Sequence, residues 1–133
     1  MAYNTLGGIR SYSEQPLKAI PMIGRAMRLD PASNHQYVHF LGMAYLLAGK
    51  YETAATLLRQ RILLVPETDF SRASLASALG HLGQLDEARR IWRELMEINP
   101  KYSFSEHFGR LPFKSQEDVR RIAEGLEKAG LPT

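Results

Sequence analysis

The stretch Leu41-Gly42-Met43-Ala44-Tyr45-Leu46-Leu47-Ala48-Gly49-Lys50-Tyr51-Glu52, continued by Ala54, Leu58 and Pro66, decides the fold. Shifted by 34 residues, it meets a second version of itself. Leu41 falls on Leu75, Ala44 on Ala78, Gly49 on Gly83, Ala54 on Ala88, Arg59 on Arg93 and Pro66 on Pro100, and Glu52 meets Asp86. Shifted back by 35, Leu41, Gly42, Ala54 and Pro66 fall on Leu6, Gly7, Ala19 and Pro31. A unit of this length, present about three times, marks a stack of like supersecondary elements. The units cover residues of about 1–34, 35–68 and 69–102.

Each unit reads as two helices. Val38, Leu41, Ala44, Tyr45 and Leu47 follow helical spacing, and Gly49 supplies the left-handed residue that ends a helix. Ala54, Leu57, Leu58, Ile62 and Leu64 form the apolar face of a second helix, which Pro66 stops because proline has no N–H to donate. Gly42, Ala54 and Ala88 are small enough to let antiparallel helices approach closely. In the first unit Pro21 falls inside the expected second helix, where it should bend or weaken it. Arg10 stands where the middle unit has Tyr45, so the first helix of that unit diverges most.

After Pro100 the repeat fails, because Gly109 and Arg110 stand where leucine and glycine are wanted. An irregular segment and one capping helix are expected over residues 103–133. Ser115 with Asp118 resembles a capping box, and Gly130 and Pro132 are stop signals. Val119, Ile122, Ala123 and Leu126 form an apolar stripe among Glu117, Arg120, Arg121, Glu124, Glu127 and Lys128, as a terminal cap on a solenoid would require.

The pattern Leu41-Gly42-x-x-Tyr45, Ala54-x-x-x-Leu58, Pro66 resembles the tetratricopeptide (TPR) family. The next unit keeps Leu75, Gly83, Ala88, Trp92 and Pro100 but has Ala76 and Leu79 at the glycine and tyrosine positions. The resemblance implies an all-α solenoid of helix hairpins in one domain, and a concave groove lined by the first helix of each unit. The family's groove positions fall at Gln36, His39, Met43, Leu46 and Leu47, then at Phe70, Ala73, Ser77, Gly80 and His81. His39 with Met43, and Ala73 with Ser77, stand where carboxylate-clamp members of the family carry Lys and Asn. A clamp for a C-terminal carboxylate is therefore not expected. The largely apolar groove suits an amphipathic helix of a protein or peptide, another domain of the same polypeptide, or a second copy as a homodimer, unless the cap or the first helix of the chain already fills it.

Composition narrows the chemistry. With 133 residues, 44% hydrophobic and 23% charged, the chain has the makeup of one folded domain. It contains no cysteine, which removes disulfide scaffolds, thiolate metal sites and thiol nucleophiles. The net charge of +3 from 17 basic and 14 acidic residues is too small to announce nucleic acid. Arg59, Arg61, Arg89, Arg90, Arg93, Arg120 and Arg121 alternate with glutamates and read as solvated helix faces. No apolar run reaches the roughly 20 residues of a membrane span, and residues 1–17 lack a signal-peptide layout, so a cytoplasmic location is expected.

No enzyme motif is present: there is no G-x-S-x-G, no phosphate loop, and Gly7-Gly8 lacks dinucleotide-fingerprint spacing. His35 and His39 are one helical turn apart, but without further ligands they do not make a metal site. No catalytic residue, metal or cofactor is expected. A small-ligand or metal-binding helical domain using His39 and His81 is the alternative to an interaction module.

Three stretches carry a narrower resemblance: residues 39–52, then Gly80-His81-Leu82-Gly83 with Asp86-Glu87-Ala88-Arg89, then the tail. The tail reads Leu111-Pro112-Phe113-Lys114 and Gly125-Leu126-x-Lys128-Ala129-Gly130-Leu131-Pro132. Together these are similar to the C-terminal TPR segment of bacterial class III adenylate/guanylate cyclases. That resemblance implies a non-catalytic regulatory or scaffolding part of a signalling protein, because none of the cyclase machinery can be matched here.

Overall fold

A computed structural model describes residues 16–109 and 116–133, with the side chains of 16–19, 33, 107–109 and 116 left aside. Among these residues the helices are α1 (Pro16–Leu29), α2 (Asn34–Leu47), α3 (Tyr51–Leu64), α4 (Phe70–His81), α5 (Leu85–Ile98), α6 (Phe104–Gly109) and α7 (Gln116–Lys128). A single 3-10 turn, Pro31–Ser33, separates α1 from α2. No strand occurs among the described residues. The architecture is the all-α solenoid of antiparallel hairpins that the repeat implies.

Three residues that precede a proline show why the second helices end where they do. Asp30, Val65 and Asn99 have φ/ψ of −139/74, −134/81 and −142/85. The proline ring excludes the helical region for the residue before it, so each chain leaves its helix in the same extended turn. In all three, the backbone N–H still closes a last helical bond, to Ala26, Arg61 and Leu95 respectively. The helices that end there, α1, α3 and α5, each have 14 residues. Their first residues, Pro16, Tyr51 and Leu85, repeat the sequence offsets of 35 and 34. Thus α1 is the second helix of the first unit. The helix expected to open that unit, with Leu6, Gly7 and Arg10, falls outside the described residues.

The first helices end on glycine. Gly49 and Gly83 have φ of +82° and +79°. At each, the next N–H bonds five residues back (Lys50 to Tyr45, Gln84 to Leu79) while the glycine N–H bonds three back. This closure satisfies the final carbonyls of the helix and needs a residue that tolerates positive φ. Gly130 ends α7 in the same way, with Leu131 bonding Leu126.

Within a unit, α2 packs on α3 and α4 on α5; between units, α1 packs on α2 and α3 on α4. The fully buried Ala54 and Ala88 lie at these seams, and a Cβ on Gly42 would stand 2.8 Å from Leu58 Cγ. Leu46, Leu58, Leu75, Leu79 and Leu95 fill the centre. Arg72, buried on α4, donates to the carbonyls of Pro66 (2.6 Å) and Thr68 (2.9 Å) and pairs with Glu94 at 3.2 Å. One guanidinium thereby supplies donors to a loop that Pro66 leaves short of them. The stretch after Pro100, expected to be irregular, includes the short helix α6, whose Phe104 is buried. Tyr102, just before it, meets Trp92 edge-on at 6.0 Å.

Candidate functional site: the groove face of α4

The residues expected to line a groove are mostly covered. Leu46, Ala73 and Ser77 have no exposed surface, and Met43, Leu47 and His39 are buried as well. Phe70 and His81 are half-buried and Gln36 is exposed. An open apolar trough along these positions is therefore not what the chain presents. The covering element over α4 is α7, which packs on α4 and reaches α2, and is not stacked on α5 at the end of the hairpin array. The apolar stripe of α7 is directed into the molecule: Ile122 and Leu126 are buried, as is Ala129 just past the helix, while Val119 and Ala123 are half-buried. Ser115, the expected cap of this helix, lies outside the described residues.

The contact is held by groups that read the backbone of α7. Ser77 Oγ donates to the Ile122 carbonyl at 2.7 Å. His81 Nε2 donates to the Arg121 carbonyl at 2.6 Å, and Arg89 Nε, from α5, donates to the Ala129 carbonyl at 2.9 Å. In the other direction, Arg121 donates to the Leu47 carbonyl at 2.9 Å, satisfying the C-terminal end of α2. Arg121 thus departs from the solvated face expected of it. Arg61 does so too: partly buried, it donates to the His35 carbonyl (2.7 Å), and burial lowers its pKa.

Two glycines set the closeness of the crossing. A Cβ on Gly80 would overlap the Gly125 carbonyl, and a Cβ on Gly125 would overlap the Ser77 carbonyl and hydroxyl. Both obstacles are backbone or held by it, so neither helix could yield by turning a side chain. Gly125, Arg89 and Arg121 are the contact residues that sequence reasoning did not single out for this site. Each reads as an ordinary helix-surface or tail residue until α7 is placed.

His81 is the polar centre of the seam. Its ring stacks on Tyr51 at 4.2 Å with an 8° interplanar angle. Because Nε2 faces a carbonyl, it carries the proton. Nδ1 is then an acceptor and takes a hydrogen bond from the Lys128 ammonium at 3.3 Å. Burial, foremost, pushes the His81 pKa down; the positive charges of Lys128 and Arg121 also lower it, against the Arg121 carbonyl and Glu124, which raise it. His39 serves elsewhere: its Nδ1 shares a 2.8 Å hydrogen bond with Ser71 Oγ, and its ring lies 4.6 Å from that of Phe70. The two histidines are therefore bound to different partners. His35 Nδ1 lies 2.8 Å from an Arg61 nitrogen, a cationic neighbour that disfavours a metal at that atom. Among the described residues no three His, Cys, Asp or Glu side chains gather as metal ligands.

Two further arginines, Arg59 and Arg90, form ion pairs on the second helices. Arg59 of α3 meets Glu87 of α5 at 2.8 Å, and Arg90 meets Glu94 at 2.8 Å within α5. The charge of these two is balanced locally. Among the described residues no helix is long and apolar enough to cross a membrane.

Hairpins repeated in register, with a helix seated on the groove face of the last one, define a helical-repeat solenoid. A tetratricopeptide repeat family model matches residues 35–60 and 70–94. Each match begins at or beside a first helix and runs into the second, so the two hairpins α2–α3 and α4–α5 are the two matched repeats. No curated protein matches the sequence.

Proposed function

We propose that the chain is a non-catalytic scaffolding module that binds a protein partner by seating one of its helices on the groove face of α4. Tetratricopeptide repeats generally serve protein–protein interaction, and the observation that carries the reading is that Ser77, His81 and Arg89 already hold a helix there through its backbone. The positions Gln36, His39, Met43, Leu46, Leu47, Phe70, Ala73, Ser77 and His81 form and support that face. The partner is a protein or peptide, another domain of the same polypeptide, or a second copy. The finer setting we propose is the cytoplasmic C-terminal part of a bacterial nucleotide cyclase or similar signalling protein. What supports it is the likeness of residues 39–52, Gly80-His81-Leu82-Gly83 and the tail to that segment.

Selection of helix-forming peptides, against the wild-type chain and against a chain whose α7 seam is broken by Gly125→Leu, tests the module. Binders with apolar residues at helical spacing should emerge, and should lose binding to a Ser77→Glu chain. No binder on either chain, or binders indifferent to Ser77→Glu, would sink the proposal. The non-catalytic part is tested with ATP and GTP: cyclic nucleotide made by the purified chain would overturn it.

A further inference from the structure

The face of α4 occupied by α7 has two features that together describe what fits it. Its donors, Ser77 Oγ, His81 Nε2 and Arg89 Nε, end on main-chain carbonyls of α7 at Ile122 and Arg121 and of Ala129, the residue that follows it. Carbonyls belong to every helix, so these three bonds impose position and direction without demanding particular side chains. Arg89 lies at the C-terminal end of the seated helix, where a cation also meets the negative end of the helix dipole. Sequence selectivity is left to shape. At Gly80 the two backbones touch so closely that a Cβ on the seated helix at Gly125 meets the Ser77 carbonyl and the His81 ring. On either side of that glycine the seat takes Ile122, Leu126 and Ala129, all buried.

We infer that α4 is a docking seat for a partner protein's helix bearing the pattern Ile-x-x-Gly-Leu-x-x-Ala or its close apolar equivalents, and that α7 occupies this seat in cis as its competitor. This rests on the interaction-module reading above and names both the chemistry of the partner and the regulation of the site. The partner helix runs in the direction of α7, ending near Arg89. A tethered occupant acts at an effective concentration on the order of millimolar, so a partner reaches the seat only when its affinity exceeds that of α7 or when α7 is loosened. The seam supplies its own point of weakness at His81. There a proton on Nδ1 would replace the acceptor for Lys128 with a positive charge, with Arg121 the other cation and Glu124 and Tyr51 the remaining titratable groups facing the ring.

The test uses the full chain and a fluorescent peptide covering residues 116–131. The Gly125→Leu chain, whose own α7 no longer fits while the seat stays intact, should bind the peptide about 100-fold more tightly than the wild-type chain does. A peptide carrying Gly125→Leu should bind neither. A Gly80→Leu chain, which has also lost its α7 contact but has a blocked seat, should bind neither peptide. Equal binding of both peptides, or binding to the Gly80→Leu chain, would overturn the glycine rule. Thermal melts accompany each chain. If Gly125→Leu does not fold, wild type cut at a protease site inserted between α6 and α7 should exchange its α7 for excess labelled peptide, and failure to exchange overturns the inference. Rejection of the α7 peptide by a folded Gly125→Leu chain that still binds selected helices elsewhere refutes this seat and leaves the module standing. Acceptance of the α7 peptide with no foreign helix ever selected refutes the module and, with it, the partner named here. Self-association of the Gly125→Leu chain with wild type, in place of binding to foreign helices, would likewise overturn it.

Discussion

His81 shows how much a single residue's meaning depends on its neighbours. As a residue near the end of a helix and just before Gly83, it reads as a side chain favourably placed at a helix terminus. In the folded chain it is a bridge, bonded through Nε2 to α7 and accepting from Lys128 at Nδ1. Its lowered pKa gives a signed expectation. The unfolded chain takes up a proton near the ordinary histidine value of 6.5 while the folded chain still resists it. The stabilisation from neutral His81 is therefore complete above that pH, and declines as pH falls from there toward the lower folded pKa. In His81→Phe, which keeps a ring for Tyr51 but has no titrating nitrogen, that decline should vanish. Melting temperatures of the two proteins between about pH 7.5 and 5 should converge as the solution is acidified, within the range where histidine titrates. Parallel curves would mean that His81 does not couple pH to the fold.

At the scale of the element, α1 and α7 behave differently from the repeat they flank. Pro21 lies within α1 and its side chain is exposed, so it contributes little packing to offset the hydrogen bond its missing N–H forgoes. Replacing Pro21 with Ala should stabilise α1 locally by up to about 3 kcal/mol. Amide exchange of residues 22–29 should slow accordingly, and unchanged exchange would show that the hydrogen bond forgone at Pro21 is compensated by the contacts of α1 with α2. The other end carries a different lesson. The stripe Val119, Ile122, Ala123 and Leu126 correctly announced an amphipathic helix, yet hydrophobic periodicity states only that one face is buried, not which surface buries it. The buried edge is in fact centred on Ile122, Gly125, Leu126 and Ala129. That rotation brings glycine to the crossing, an outcome selected by the shape of α4 and invisible in the helix alone.

For the whole molecule, the consequence of seating α7 on α4 is cooperativity. Hairpin arrays are held by contacts between neighbours, so their units can unfold with partial independence. Here α7 spans α4 and α2, joining the two matched repeats a second time, and Arg121 ties it to the last turn of α2. Urea unfolding of wild type should thus give one transition, seen alike by circular dichroism and by the fluorescence of Trp92, the one tryptophan. In Gly125→Leu, the transition should broaden and its apparent m-value fall, with the two probes separating. A variant that keeps the wild-type m-value and coincident probes would show that α7 is only a passive cover.

The amino-acid sequence by itself determined the hairpins and their limits. Proline at 31, 66 and 100 and glycine at 49 and 83 act on the backbone within a turn of where they stand, so their effect needs no knowledge of the rest of the fold. The groove positions followed instead from the resemblance to the tetratricopeptide family, which assigns them as fixed offsets within a repeat. Whether that face is open or occupied was decided only in three dimensions. Gly80 and Gly125 are 45 positions apart, and each alone is merely a glycine in a helix. Their contact, with Ser77, His81 and Arg89 meeting carbonyls of α7, depends on the close approach of two backbones. No local pattern of side chains encodes that approach, because the groups that are read are the same in every helix.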